Sequence, residues 1–185
     1  MSDDLSFGRL DFASPERFQT LRRELGVTTF GLNLIVLKPG QRGRIHRHER
    51  QEEVFVVLEG RLTLVVEDEE RDLDAREIVR VAPRVRRQLV NRGPGDLVLL
   101  AIGSAHEHDG RDGVAFATWD DAEGRSPQET PLPEDLPAGA LRSDDPITRG
   151  HWADLRDGLA VVFHSRHLVT VLVVWSTAGI ATAFV

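Results

Sequence analysis

Between Thr28 and Thr118 the apolar residues fall in short runs rich in Val, Leu and Ile, separated by "KPGQRG", "LEGR", "EDEERD", "APR" and "NRGPGD". Runs of this length, punctuated by Gly, Pro, Asn and Asp, predict strands and turns. About eight strands at such spacing predict an all-β protein, an antiparallel sandwich or barrel. In "RLTLVVE", Leu62, Leu64 and Val66 share one face and Arg61, Thr63 and Glu67 the other, so the first set should point inward. The run "EVFVVLEG" is apolar on both faces. Its outer side needs a cover, from the N-terminal segment or from a second subunit, and a homodimer is the expectation.

Ahead of the strands, "SPERFQTLRRELG" predicts a helix, with Ser14 able to cap it, Pro15 suited to its first turn and Gly26 able to end it. Beyond them, the stretch from Ser126 to Pro146 is rich in proline and acid and reads as a linker. The chain therefore divides into an N-terminal segment (1–26), a β domain (27–125), a linker (126–146) and a C-terminal extension (147–185). Residues 168–185 carry no charge. As a helix they would span about 27 Å, against roughly 30 Å of hydrocarbon. Their β-branched and hydroxyl residues favour packing against the β domain, with a membrane anchor as the alternative.

Composition narrows the chemistry. The chain has no cysteine, so a metal would have to be held by histidine and oxygen ligands. A formal charge of -7 disfavours nucleic acid as a partner and leaves small molecules or proteins. All but Lys38 of the 23 basic residues are arginine, which warns against giving each arginine a function. The acidic N-terminus has no basic, apolar signal segment, so a cytoplasmic location is expected.

Candidate ligands stand in "GQRGRIHRHERQEEVFVVLEG". In an extended segment residues i and i+2 project to one side, so His46 and His48 can offer two imidazoles to one point. Glu53 follows after enough chain for a bend and can bring a carboxylate there. Two imidazoles and a carboxylate suit a divalent transition ion and leave positions open for a substrate. Taken alone, a His-x-His in an arginine-rich stretch reads equally well as a solvated turn. The second pair, His106 and His108, lacks the carboxylate and glycine that follow the first pair at its spacing and reads as loop, as do Asp96 and Asp109. Gln51 and Glu52 read as solvated rim residues.

The spacing from Gly40 through His46, His48 and Glu53 to Gly60 closely resembles the first motif of the cupin superfamily. The segment "REIVRVAPRVRRQLVNRGPGDLVLLAIG" is similar to the second, with Pro83 and Asn91 in place. The resemblance, over about residues 27–120, implies a small single-domain bacterial cupin: a jelly-roll β-barrel with a metal inside it. It also implies His46, His48 and Glu53 as metal ligands. Where the family usually has a further histidine, this chain has Arg87, or Gln88 in the alternative register counted from Pro83. Neither is a usual ligand. Either the three remaining ligands hold the ion while Arg87 orients an anionic substrate, or the metal is gone and Arg87 neutralises Glu53.

The function implied is a cupin that binds a divalent ion (Fe, Mn, Ni or Zn) and acts on or binds a small anionic molecule, as an oxygenase or an isomerase. Arg87 and Gln88 are then the candidate substrate-binding residues. The arginines at 42, 44, 47, 50, 84 and 86 could ring the mouth and draw in an anion, or pair with nearby acids. The alternative function is a non-catalytic module, sensing a small molecule or dimerising without metal.

Overall fold

A computed structural model describes residues 4–67, 69–104 and 112–143. His106, His108, Asp109 and the C-terminal extension lie outside the described residues. The element order is β1 (Phe18–Gln19), α1 (Leu21–Glu24), β2 (Gly31–Leu37), β3 (Ile45–His48), β4 (Glu52–Glu59), β5 (Arg61–Val66), β6 (Glu69–Asp74), β7 (Ile78–Val81), β8 (Arg87–Val90), β9 (Leu97–Ser104) and β10 (Gly113–Phe116). The turn stretches "KPGQRG", "APR" and "NRGPGD" fall between strands, whereas "LEGR" narrows to a turn at Gly60 and most of "EDEERD" is taken into β6.

The strands form two antiparallel five-stranded sheets, ordered β1-β2-β9-β4-β7 and β10-β3-β8-β5-β6. The expected closed barrel is therefore an open two-sheet sandwich among the described residues. Three of its four sheet edges, β1, β7 and β10, are two to four residues long, too short to carry a hydrogen-bonded ladder around the corner. The expected helix from Ser14 to Gly26 is also corrected, to the single turn α1. Phe18 and Gln19 pair instead with Ile35 and Leu34, so the sheet edge takes the backbone groups a helix would have used. Gly26 does end that turn, in the left-handed conformation at φ 69°.

Side-chain alternation fills the space between the sheets. Leu62 and Leu64 of β5 point inward with Phe55, Val57, Leu89, Leu97 and Leu99, and Val66 packs against them. On the outer face of the first sheet a second cluster joins Leu34, Val36 and Val98 to Leu21, with Phe12 and Leu58 packed on it. The N-terminal segment thus supplies part of the cover that β4 required. Ile78, register partner of Val56, remains 65% exposed on that face.

Two glycines of the motif have steric reasons. Gly60 turns β4 into β5 at φ 77°, and a β-carbon there would lie 2.4 Å from the Asp96 carbonyl oxygen. Gly40, at φ 82°, would press a β-carbon to 3.2 Å from the Leu136 carbonyl oxygen. Asn91 is buried, and its amide donates to the carbonyls of Leu37 and Gly95, both at 2.8 Å, which ties the β8–β9 turn to the end of β2. The proline-rich stretch is fastened along its length: Leu136 N–H donates to the Gly40 carbonyl at 2.8 Å, and Arg142 pairs with Glu70 and Asp72.

Candidate metal centre

The three residues 49–51 carry the chain from β3 in one sheet to β4 in the other. That crossing explains the spacing of the motif: His46 and His48 on one sheet face Glu53 on the other across the interior. His46 Nε2 lies 3.6 Å from Glu53 Oε2, and His48 Nε2 lies 3.8 Å from Glu53 Oε1. One ligand atom from each of the three residues falls within 4.8 Å of the others, and the group could hold a metal ion.

The far side of each ring faces an acceptor, at hydrogen-bond distance for His46 and slightly beyond it for His48. His46 Nδ1 is 3.0 Å from the Arg44 carbonyl oxygen. A carbonyl only accepts, so Nδ1 carries a hydrogen, and Nε2 is the nitrogen turned toward Glu53. His48 Nδ1 is 3.6 Å from the buried Asp112 carboxylate. Metal-ligating histidines commonly show this arrangement, with the second nitrogen held by a carbonyl or a carboxylate.

Arg87 is the register partner of His46 and is fully buried, 0% exposed. Its Nη2 donates to Glu53 Oε2 at 2.5 Å and its Nη1 to the Val85 carbonyl at 3.1 Å, while Nε is buried without a partner. Gln88, next along β8, turns away: its amide donates to the Gly43 carbonyl at 2.9 Å. Of the two residues considered from the sequence, Arg87 faces the cluster, and neither side chain lies open to solvent.

Burial opposes ionisation of Glu53, but the hydrogen bond and charge of His46 and the charges of Arg87 and His48 outweigh it, lowering its pKa to about 2. Burial also lowers the pKa of His48, with Arg87 and His46 adding to the effect and Glu53 and Asp112 opposing it. The inward residues of β9 shrink toward the group in the order Leu97, Leu99, Ala101, Gly103. A β-carbon at Gly103 would lie 3.9 Å from Glu53 Cγ.

The arginines flanking the motif mostly serve the fold. Arg42 and Arg44 donate to the carbonyls of Glu134 and Thr130. Arg86 stacks 4.0 Å over the Phe116 ring and donates to the Trp119 carbonyl, and Arg47 pairs with Glu49. Gln51 corrects an expectation: it is buried, because its turn folds beneath Asp112, whereas Glu52 is exposed and pairs with Arg80. Asp112 itself was not legible. It stands in "GRDG", which reads as a turn, and only the β3–β10 ladder brings it beside His48.

An antiparallel sandwich with a histidine–carboxylate group between its sheets is the class that fold and site define. Residues 33–103 match the family described as Cupin domain. Among solved structures, a cupin protein from Bacteroides fragilis aligns at 19% identity and TM-score 0.50 over 56% of this chain and 86% of its own. A sugar phosphate isomerase from Silicibacter pomeroyi, described as of the cupin superfamily, aligns at 24% identity and TM-score 0.50 over 72% of this chain and 96% of its own. At these identities the likeness concerns the fold. No curated protein matches the chain at a significant level. Among the described residues no helix is long and apolar enough to cross a membrane.

Proposed function

We propose that this domain holds one divalent transition ion on His46 Nε2, His48 Nε2 and Glu53, and acts there on a small anionic molecule. The observation that carries the reading is convergence of acceptors. Two ring nitrogens converge on a carboxylate that stays ionised, its pKa held down to about 2, and an ionised carboxylate with two imidazoles is a donor set for a divalent ion. An ion about 2.1 Å from each donor sets donors roughly 3.0–4.2 Å apart, which the observed separations fit. Such an ion, when bound, supplies Lewis acidity and open positions for a substrate oxygen.

Arg87 adds charge from behind Glu53. With both its terminal nitrogens engaged it does not reach for a substrate directly. It cancels the negative charge of Glu53, so that the ion's charge remains to favour an anion. A sugar phosphate is the first anion to try, since the Silicibacter pomeroyi protein of this fold is named for one. Between the expected reactions, isomerisation needs no more than polarisation and proton transfer at such a centre, whereas an oxygenase also needs a redox-active ion.

One observation favours a second reading. The Arg87–Glu53 pair already neutralises the carboxylate, so the site can also stand as a metal-free binding module. Elemental analysis of untagged protein from metal-replete medium separates the two. Close to one divalent ion per chain, lost in His46→Ala and His48→Ala, supports the metal centre. Metal content indifferent to both substitutions, or an empty wild type, supports the module.

A further inference from the structure

Asp112 is fixed more firmly than a turn residue requires. It is buried, and its Oδ2 accepts the backbone N–H groups of Arg50 at 3.1 Å and Gln51 at 2.9 Å. Those two residues belong to the crossing that sets His48 opposite Glu53. The same oxygen lies 3.6 Å from His48 Nδ1, just beyond hydrogen-bond distance, and that buried nitrogen has no hydrogen-bond partner. Arg50 Nε approaches the other carboxylate oxygen at 3.5 Å. Gly113, next in sequence, is the register partner of His48 and holds the β10 backbone against that ring.

We infer that Asp112 is the positioning residue of the site, fixing both the β3–β4 crossing and the ring of His48. The inference rests on the metal reading above for its consequence, though not for its geometry. A carboxylate can only accept from Nδ1, which places the ring hydrogen there and leaves Nε2 as a lone pair directed at Glu53. His46 has the backbone carbonyl of Arg44 for the same purpose, so the two rings are oriented by independent means.

The test reads the tautomers directly, from the nitrogen-15 chemical shifts of the two rings in metal-free protein, and then the affinity for zinc alone. Wild-type His48 is expected to carry its hydrogen on Nδ1. Asp112→Asn should shift it toward the Nε2–H form, leave His46 unchanged, and weaken zinc binding by roughly 10–100-fold. A turn tie with no part in orienting the ring would move both histidines or neither. An Nε2–H tautomer at His48 in the wild type overturns the inference without recourse to a variant. So does a His48 tautomer unchanged by Asp112→Asn. A His48 tautomer that responds as stated in a protein that does not bind zinc supports the pairing and overturns the metal reading.

Discussion

The interior of the sandwich has two halves built on the same strands. Along β4 the inward positions run from Glu53 to Phe55 and Val57, along β8 from Arg87 to Leu89, and along β9 from Gly103 through Ala101 to Leu99 and Leu97. One half is close-packed hydrocarbon. The other is a set of charged and hydrogen-bonding groups that satisfy each other with two exceptions, His48 Nδ1 and Arg87 Nε. Folding stability resides in the first half, where apolar burial has no offsetting desolvation of charge. The second half spends some of that stability to hold groups close together that would otherwise separate in water.

The sharpest way to break this division is to truncate one side chain in each half. Phe55→Ala removes a fully buried ring from the apolar half, and a loss of about 3–5 kcal/mol is expected in urea denaturation. His48→Ala, in a half-buried ring, should cost far less while abolishing metal binding. If His48→Ala destabilises the metal-free protein as much as Phe55→Ala, the polar half is structural after all.

Charge imbalance in the polar half is the next largest effect. Arg87→Met leaves the Glu53 carboxylate buried without its cation, a loss of about 3–5 kcal/mol in metal-free protein. Added divalent metal should recover much of it by taking over as the counter-charge. Acid titration tests the same pair. The folded-state pKa of Glu53 lies near 2, below its ordinary 4.5, so its contribution is complete above 4.5 and is lost as pH falls through about 2. That amounts to about 3 kcal/mol across the window, at about 1.4 kcal/mol per pH unit. The stability of metal-free Glu53→Gln should accordingly fall less steeply between pH 5 and 2 than that of the wild type. An identical slope would mean that Glu53 is solvated.

Arg87→His is expected to sharpen the comparison from the other side. It places an imidazole opposite His46 in the β3–β8 ladder, where a fourth ligand would stand, and removes a like charge from beside the ion. Zinc affinity measured by calorimetry should rise by roughly tenfold or more, about 1.4 kcal/mol. Unchanged affinity would show that Arg87 sits too far behind Glu53 for its replacement to reach the metal.

The sequence revealed these halves unequally. Strand alternation placed Leu62, Leu64 and Val66, because period two reports directly on which face is buried. The motif spacing brought His46, His48 and Glu53 together, because a His-x-His, a three-residue crossing and a following strand leave little freedom. What local pattern could not show was any pairing distant in sequence. Phe18 and Gln19 lie in a stretch with helical signals and became strand because the β2 edge was open to them. Asp112 reaches His48 across 64 positions of sequence, by a register that no spacing rule encodes. Gln51 looked like a rim residue because burial by a remote carboxylate leaves no local trace.

The smallest effect on stability is expected on the outside of the first sheet, where the contrast between covered and bare apolar surface is repeated. Leu34, Val36 and Val98 lie under Leu21 and Phe12, whereas Ile78 is 65% exposed beside the half-buried Val56 on the β7 edge. A bare apolar patch at a sheet edge favours pairing with a second copy, and a homodimer through this face remains our proposal. Ile78→Lys puts a charge on the patch and removes little from the core, so fold stability should stay within about 0.5 kcal/mol of the wild type. Light scattering on the full chain over a concentration series is the measurement. The wild type should scatter as a dimer and the variant should shift toward monomer. A wild type that stays monomeric at high micromolar concentration would mean that the patch is exposed without consequence and that the cover β4 needed is complete within one chain.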